Sequence, residues 1–137
     1  MTRPSKKPIR PDILIDSDIL IQTIIGDQSI KEQINSIDPN RLFISKVTVI
    51  EFFFNINSHS TKEMESLVKR ITIIPLSELV GEVALYLVKS YPKRLRAAES
   101  MIAAIARLYN LQHYTNNLPD FTGIAGLNLY KPAIFKP

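Results

Sequence analysis

The chain has 137 residues, 45% of them hydrophobic and 22% charged, proportions that suit one globular domain with its own core and exclude a disordered chain. Cysteine is absent, which excludes a disulfide framework and a thiolate metal centre and suits a reducing cytosol. No apolar run approaches the ~20 residues of a membrane-spanning helix, and the net charge of +4 is concentrated at the start, where Arg3, Lys6, Lys7 and Arg10 stand against Asp12 alone.

Pro4, Pro8 and Pro11 make residues 1–11 a poor helix or strand, so this stretch is expected to be a flexible basic arm ahead of a domain spanning 12–137. The apolar segment behind it is broken by Asp16 and Asp18 and lacks a small-residue cleavage pattern, so no signal peptide is expected. "DILID" (12–16) has the pattern of a buried strand. Asp16, Ser17 and Asp18 offer N-cap side chains for a helix through "ILIQTIIG", which Gly26 closes. Ser29 is expected to cap a second helix over 30–37, ended by the turn signal "DPN".

"LFIS" (42–45) is the second strand and "VTVIEFFFNIN" (47–57) an apolar helix, expected to be largely buried, with Glu51 in its second turn. Ser60 and Glu63 form a capping box for "TKEMESLVKR". "ITIIPL" (71–76) is the third strand, and Ser77 caps a long helix that Pro92 stops near Tyr91. "AAESMIAAIARLYN" (97–110) is strongly helical, "QHYT" (112–115) the fourth strand and "LNLYK" (127–131) the fifth. This alternation predicts an α/β domain around a central, mostly parallel five-stranded sheet.

In such sheets ligands bind at the carboxyl ends of the strands. Asp16 ends the first strand, Glu51 follows the second by one helical turn, and Asp120 lies in the loop after the fourth. Glu99 joins them if its helix starts at that edge. Each acid has a plain reading by itself: Asp18 as a helix cap, Glu99 as a partner of the helix dipole, Asp120 as a loop residue. Clustered, they would repel one another without a compensating charge. An all-oxygen set of this kind favours a hard divalent cation, Mg²⁺ or Mn²⁺. His59 and His113 lack a paired ligand spacing and are weak candidates for a zinc site or a general base. No Gly-rich phosphate loop or nucleophile elbow is present.

Three stretches resemble the PIN-domain ribonucleases, particularly the small VapC-type toxins of toxin–antitoxin pairs. "ILIDSDILI" is similar to that family's opening acidic box, "VTVIEFFF" to its Glu helix, and "AESMIAAIARLYNLQHYTNNLPDFTGIAGLNLYKP" to its C-terminal signature. The match spans 12–132 in order and spacing. It implies a three-layer α/β/α fold and assigns the acidic roles to Asp16, Glu51, Glu99 and Asp120, with Ser17, Thr115 and Asn117 beside them. Two positions depart from the family: Glu99 stands where Asp is usual, and Asn116 where Arg is frequent.

The resemblance implies a Mg²⁺- or Mn²⁺-dependent endonuclease acting on RNA in the cytoplasm, with a cognate antitoxin protein as partner. Because an acid-lined site repels phosphates, nearby cations should help; Lys46, Lys93, Arg94, Arg96 and the basic arm are the candidates. Apolar surface on "ILIQTIIG" and "ALYLVKSY", together with the resemblance, suggests a homodimer. The competing reading is a catalytically impaired PIN-like module that binds RNA or a protein, for which the Glu99 departure is the main argument.

Overall fold

The computed structural model describes residues 12–55 and 61–132. The N-terminal arm and Ser60 of the expected capping box lie outside them.

Five short strands, β1 (Ile13–Ile15), β2 (Leu42–Ser45), β3 (Thr72–Ile74), β4 (Gln112–Tyr114) and β5 (Asn128–Leu129), form one sheet in the order β3-β2-β1-β4-β5. All four pairings are parallel, so the expected "mostly parallel" sheet is wholly so. The helices are α1 (Ser17–Ile25), α2 (Gln28–Asn35), α3 (Lys46–Asn55), α4 (Thr61–Val68), α5 (Glu78–Ser90), α6 (Ala97–Leu108) and the four-residue α7 (Leu118–Phe121). A 3₁₀ turn over Pro39–Arg41 leads into β2.

Both sheet faces are covered, which is why β1 is a continuous apolar run rather than an alternating one. Ile13 and Ile15 face one core with Ile19, Leu20, Ile34, Phe52, Met64 and Leu67, from α1, α2, α3 and α4. Leu14 faces the other with Val80, Ala84, Leu87 and residues 102–106, from α5 and α6. The result is the three-layer α/β/α architecture expected.

Local chemistry sets where each helix begins. Asp16 caps α1 by accepting the Ser17 N–H at 2.7 Å, and Gly26, at φ 94°, closes it in a left-handed turn that disfavours other residues. The cap of α2 is Asp27, which accepts the Ile30 N–H, not Ser29, which lies inside the helix. Ser77 caps α5 as expected. Buried Ser45, the last residue of β2, accepts the Thr48 N–H at 2.9 Å and so fixes the start of α3. Only one side of α3 is buried, through Val47, Thr48 and Phe52. Ile50, Phe53 and Phe54 are exposed, which corrects the expectation of a largely buried helix.

The chain steps outward from β1 through β2 to β3, then returns to place β4 on the other side of β1. The order therefore reverses between β1 and β4, and the carboxyl ends of this pair form the crevice where such sheets take ligands.

Candidate active site

Asp16, Ser17, Asp18, Glu51, Arg96, Ala98, Glu99, Ile102, Asn117 and Asp120 line one cavity of about 410 Å³ at that crevice. Four separate elements deliver the acids: Asp16 and Asp18 come from the β1–α1 junction, Glu51 from α3, Glu99 from the first turn of α6 and Asp120 from α7. The start of α6 does face this edge, so all four acids expected here are brought together. Asp120 sits on a short helix rather than in a plain loop.

Asn117 is the clamp on one side. Its Nδ2 donates to Glu99 Oε2 at 3.0 Å and to Asp120 Oδ2 at 2.8 Å. The other Glu99 oxygen, Oε1, accepts the Arg96 N–H at 3.1 Å, so this side chain both caps α6 and faces the cavity. Glu99 and Asp120 perturb one another. Burial and the neighbouring Asp120 raise the Glu99 carboxyl above its ordinary value, while bonds from Glu99 and Asn117 lower that of Asp120.

On the other side, burial pushes the Asp16 carboxyl up, but the bond to His113, with help from the Ser17 N–H, outweighs it and leaves it below the ordinary value. Asp16, not Asp18, is the N-cap residue of α1, but Asp18 still accepts the Ile19 N–H of its first turn through Oδ1 at 2.8 Å. Its Oδ2 accepts the Asn116 N–H at 2.8 Å and the Thr115 hydroxyl at 3.3 Å, which ties the end of β4 to the first turn of α1. Thr115 thus stands behind the cavity wall and supports it, and its hydroxyl also accepts the Asn117 N–H at 3.0 Å. Asn116, at the departure from Arg, donates to Gln22 on α1 at 2.6 Å. Burial and the Asp16 charge raise Asp18, and burial plus the charges of Asp16, Glu99 and Asp18 raise Glu51.

Among the described residues, Arg96 is the one candidate cation that lines the cavity. Arg94 is committed elsewhere: its Nη2 reaches the carbonyl oxygens of Pro119, Asp120 and Thr122 at 3.0, 3.3 and 2.5 Å, and so holds the segment carrying Asp120. Lys46 and Lys93 are exposed and lie outside the cavity wall. Sequence reasoning missed His113, whose Nε2 lies 3.1 Å from Asp16 Oδ2. Its signal is the β1–β4 register, which pairs it with Leu14, two residues before Asp16.

Five carboxylates against one guanidinium make an oxygen-only donor set with uncompensated negative charge, which fits a hard divalent cation. Among the described residues, no three His, Asp or Glu side chains are arranged so that together they could hold a metal ion.

Three acids, Asp18, Glu51 and Glu99, are raised. For a raised acid the folded state holds its proton more tightly than the unfolded state does, so stability falls as pH rises through that range. Glu51→Gln is therefore expected to melt above the metal-free wild type at neutral pH, with the difference shrinking toward acid, where Glu51 is protonated. The gain should not exceed the ~2–4 °C that 1 kcal/mol gives in a domain of roughly this size, since solvent screens a half-buried carboxylate. Thermal melts followed by circular dichroism check this; equal midpoints at neutral pH would remove the strain assigned to Glu51.

A parallel sheet with this strand order and an acidic crevice at its switch point define a class of α/β domain built to gather carboxylates. The sequence profile of the PIN domain matches residues 13–121, and the chain belongs to that family. Among solved structures it is similar to a toxin–antitoxin complex from Klebsiella pneumoniae, at 27% identity and a TM-score of 0.74, covering 85% of this chain and 95% of that one. It is also similar to VapBC2 of Rickettsia felis bound to a promoter DNA fragment, at 17% identity and a TM-score of 0.75, covering 86% and 96%. A third is VapC20 of Mycobacterium tuberculosis, described as a sarcin–ricin-loop-cleaving toxin, at 13% identity and a TM-score of 0.65, covering 85% and 99%. No curated protein sequence matches the chain.

Proposed function

We propose that this chain is the toxin of a toxin–antitoxin pair, a ribonuclease that depends on Mg²⁺ or Mn²⁺. The observation that carries the reading is the meeting of five carboxylates from four elements in one crevice of a PIN domain. The 27%-identical neighbour, a toxin–antitoxin complex, and the RNA-cleaving VapC20 support the biological setting.

Asp16 and Asp120 are the residues that would hold the cation directly, with Glu51 and Glu99 as further ligands or as groups that orient water. When bound, the cation supplies a water acidified enough to attack phosphorus and a Lewis acid for the departing oxygen. The protein's own residues do the positioning. Asn117 holds Glu99 and Asp120 at a fixed separation, and Ser17, through its N–H, fixes Asp16. Glu51, raised and partly exposed, would accept a proton from an approaching water. Arg96 meets an RNA phosphate at the cavity wall and offsets repulsion from the acids.

A cognate antitoxin is the protein partner in this reading, and the working form is a homodimer in the cytoplasm. Exposed Ile50, Phe53 and Phe54 on α3, and Leu79, Leu85 and Tyr86 on α5, offer apolar surface for these contacts. No helix among the described residues is long and apolar enough to cross a membrane.

Induced expression in a bacterial host tests the reading. The wild-type chain is expected to stop growth, and Asp16→Asn to permit it at the rate of an empty vector. Unimpaired growth with soluble wild-type protein present would remove the toxin assignment.

A further inference from the structure

His113 is fully buried in β4, on the face packed by α6 and α7. Its ring stands edge-on to Phe121, with centroids 4.4 Å apart at an interplanar angle of 80°. Leu14 is its register partner on β1. Two apolar neighbours of this kind are what an apolar side chain would want. The imidazole has one nitrogen, Nδ1, buried without a hydrogen-bond partner among the described residues, an arrangement that costs stability and calls for a reason. Its other nitrogen, Nε2, meets Asp16 Oδ2 at 3.1 Å. An ionised carboxylate can only accept, so Nε2 carries the hydrogen of that bond.

We propose that His113 is a positioning residue for the metal centre: from inside the core its Nε2–H holds Oδ2 of Asp16 and sets the rotation of that carboxylate in the acidic cavity. The inference rests on the metal-site reading of the crevice and extends it to a residue outside the cavity wall. Asp16 is held at two points, Oδ1 by the Ser17 N–H at 2.7 Å and Oδ2 by His113. Two fixed oxygens leave the carboxylate no free rotation, and each keeps a lone pair for a ligand. Ligating carboxylates elsewhere are commonly held by such outer partners, whose loss weakens metal binding.

The ring also links two ligand-bearing elements. Phe121, which locks it from the side, follows Asp120 directly in α7. One buried ring therefore touches Asp16 at the end of β1 through a hydrogen bond, and the segment that carries Asp120 through an aromatic contact. His113 sets the distance between the two acids by packing as well as by polarity.

The test is Mn²⁺ binding at one fixed neutral pH, by calorimetry and by the electron paramagnetic resonance signal of free Mn²⁺. The proteins are wild type, His113→Leu, His113→Gln and His113→Asn, with circular dichroism as the control for folding. Leucine fills the site without a donor, and binding is expected to weaken about 10–100-fold. The glutamine amide nitrogen falls near the place of Nε2 and should restore affinity to within a few-fold of wild type. The asparagine amide nitrogen falls near Nδ1 and should not restore it. Should the leucine variant fail to fold, the contrast between glutamine and asparagine decides. Equal Mn²⁺ affinity in all folded variants overturns the role of His113 while leaving the metal site standing. A wild type that binds no Mn²⁺ overturns the metal site, and this role with it.

Discussion

Asp16→Asn is expected to lower metal-dependent RNA cleavage by more than about 100-fold, the upper end of what the loss of an outer partner costs a metal site. Asp16 stands where three demands meet. It caps α1 through Oδ1, accepts from His113 through Oδ2 and lines the cavity. Asparagine has nearly the same shape but only one accepting oxygen. If that oxygen keeps the Ser17 N–H, the amide NH₂ faces the Nε2–H of His113; if it flips, it faces the Ser17 N–H instead. In the flipped arrangement a donor opposes a donor; in the other His113 escapes that only by moving its hydrogen to Nδ1, and in both the negative charge is gone. Initial cleavage rates of wild type and variant, with circular dichroism to show that both are folded, give the comparison. A variant that cuts RNA at the wild-type rate would remove Asp16 from the reaction.

Glu99 is the second position where a small change should have a large effect, and its contacts bear on how its departure from Asp is accommodated. Its longer side chain spans from the Arg96 N–H at the start of α6 to Asn117 Nδ2. Glu99→Asp shortens the side chain by one methylene and gives up one of these contacts. Misplacement of about an ångström can cost ~10²-fold in rate, and a loss of that order is the expected result. Glu99→Gln keeps the length, yet its single oxygen cannot accept from both Arg96 and Asn117, so cleavage should nearly vanish. A rise in activity with Glu99→Asp would mean that this side of the site is degraded rather than rebuilt around glutamate.

The strands and long helices were legible because their apolar patterns and caps act locally. Gly26 and Ser77 close and open their helices where the sequence places them. Asp27 displaced Ser29 as the cap of α2 because both side chains can accept an N–H there, and composition alone does not choose between them. The four-residue α7 is too short to show a helical period, so in sequence Asp120 looks like a loop residue. Exposed Ile50, Phe53 and Phe54 look like core residues in sequence, since periodicity does not separate a face packed on the sheet from one left for solvent or a partner.

The acids of the candidate site were legible because each follows a strand or starts a helix at one edge of the sheet. What supports them was not. The link from Asp18 to Thr115 and Asn116 joins residues 97 and 98 positions apart. His113 and Asp16 are also 97 positions apart, and only the parallel β1–β4 register makes them neighbours. A lone histidine in a three-residue strand carries no spacing signal, so its contact emerges only once the strand order is known.

Incubation of the folded wild-type protein with a mixed RNA pool in Mn²⁺, with and without EDTA, tests the metal-dependent ribonuclease most directly. RNA fragments are expected with Mn²⁺ and none with EDTA. Intact RNA in both, from protein that binds Mn²⁺ and is folded, would contradict the ribonuclease and leave a PIN domain that binds without cutting.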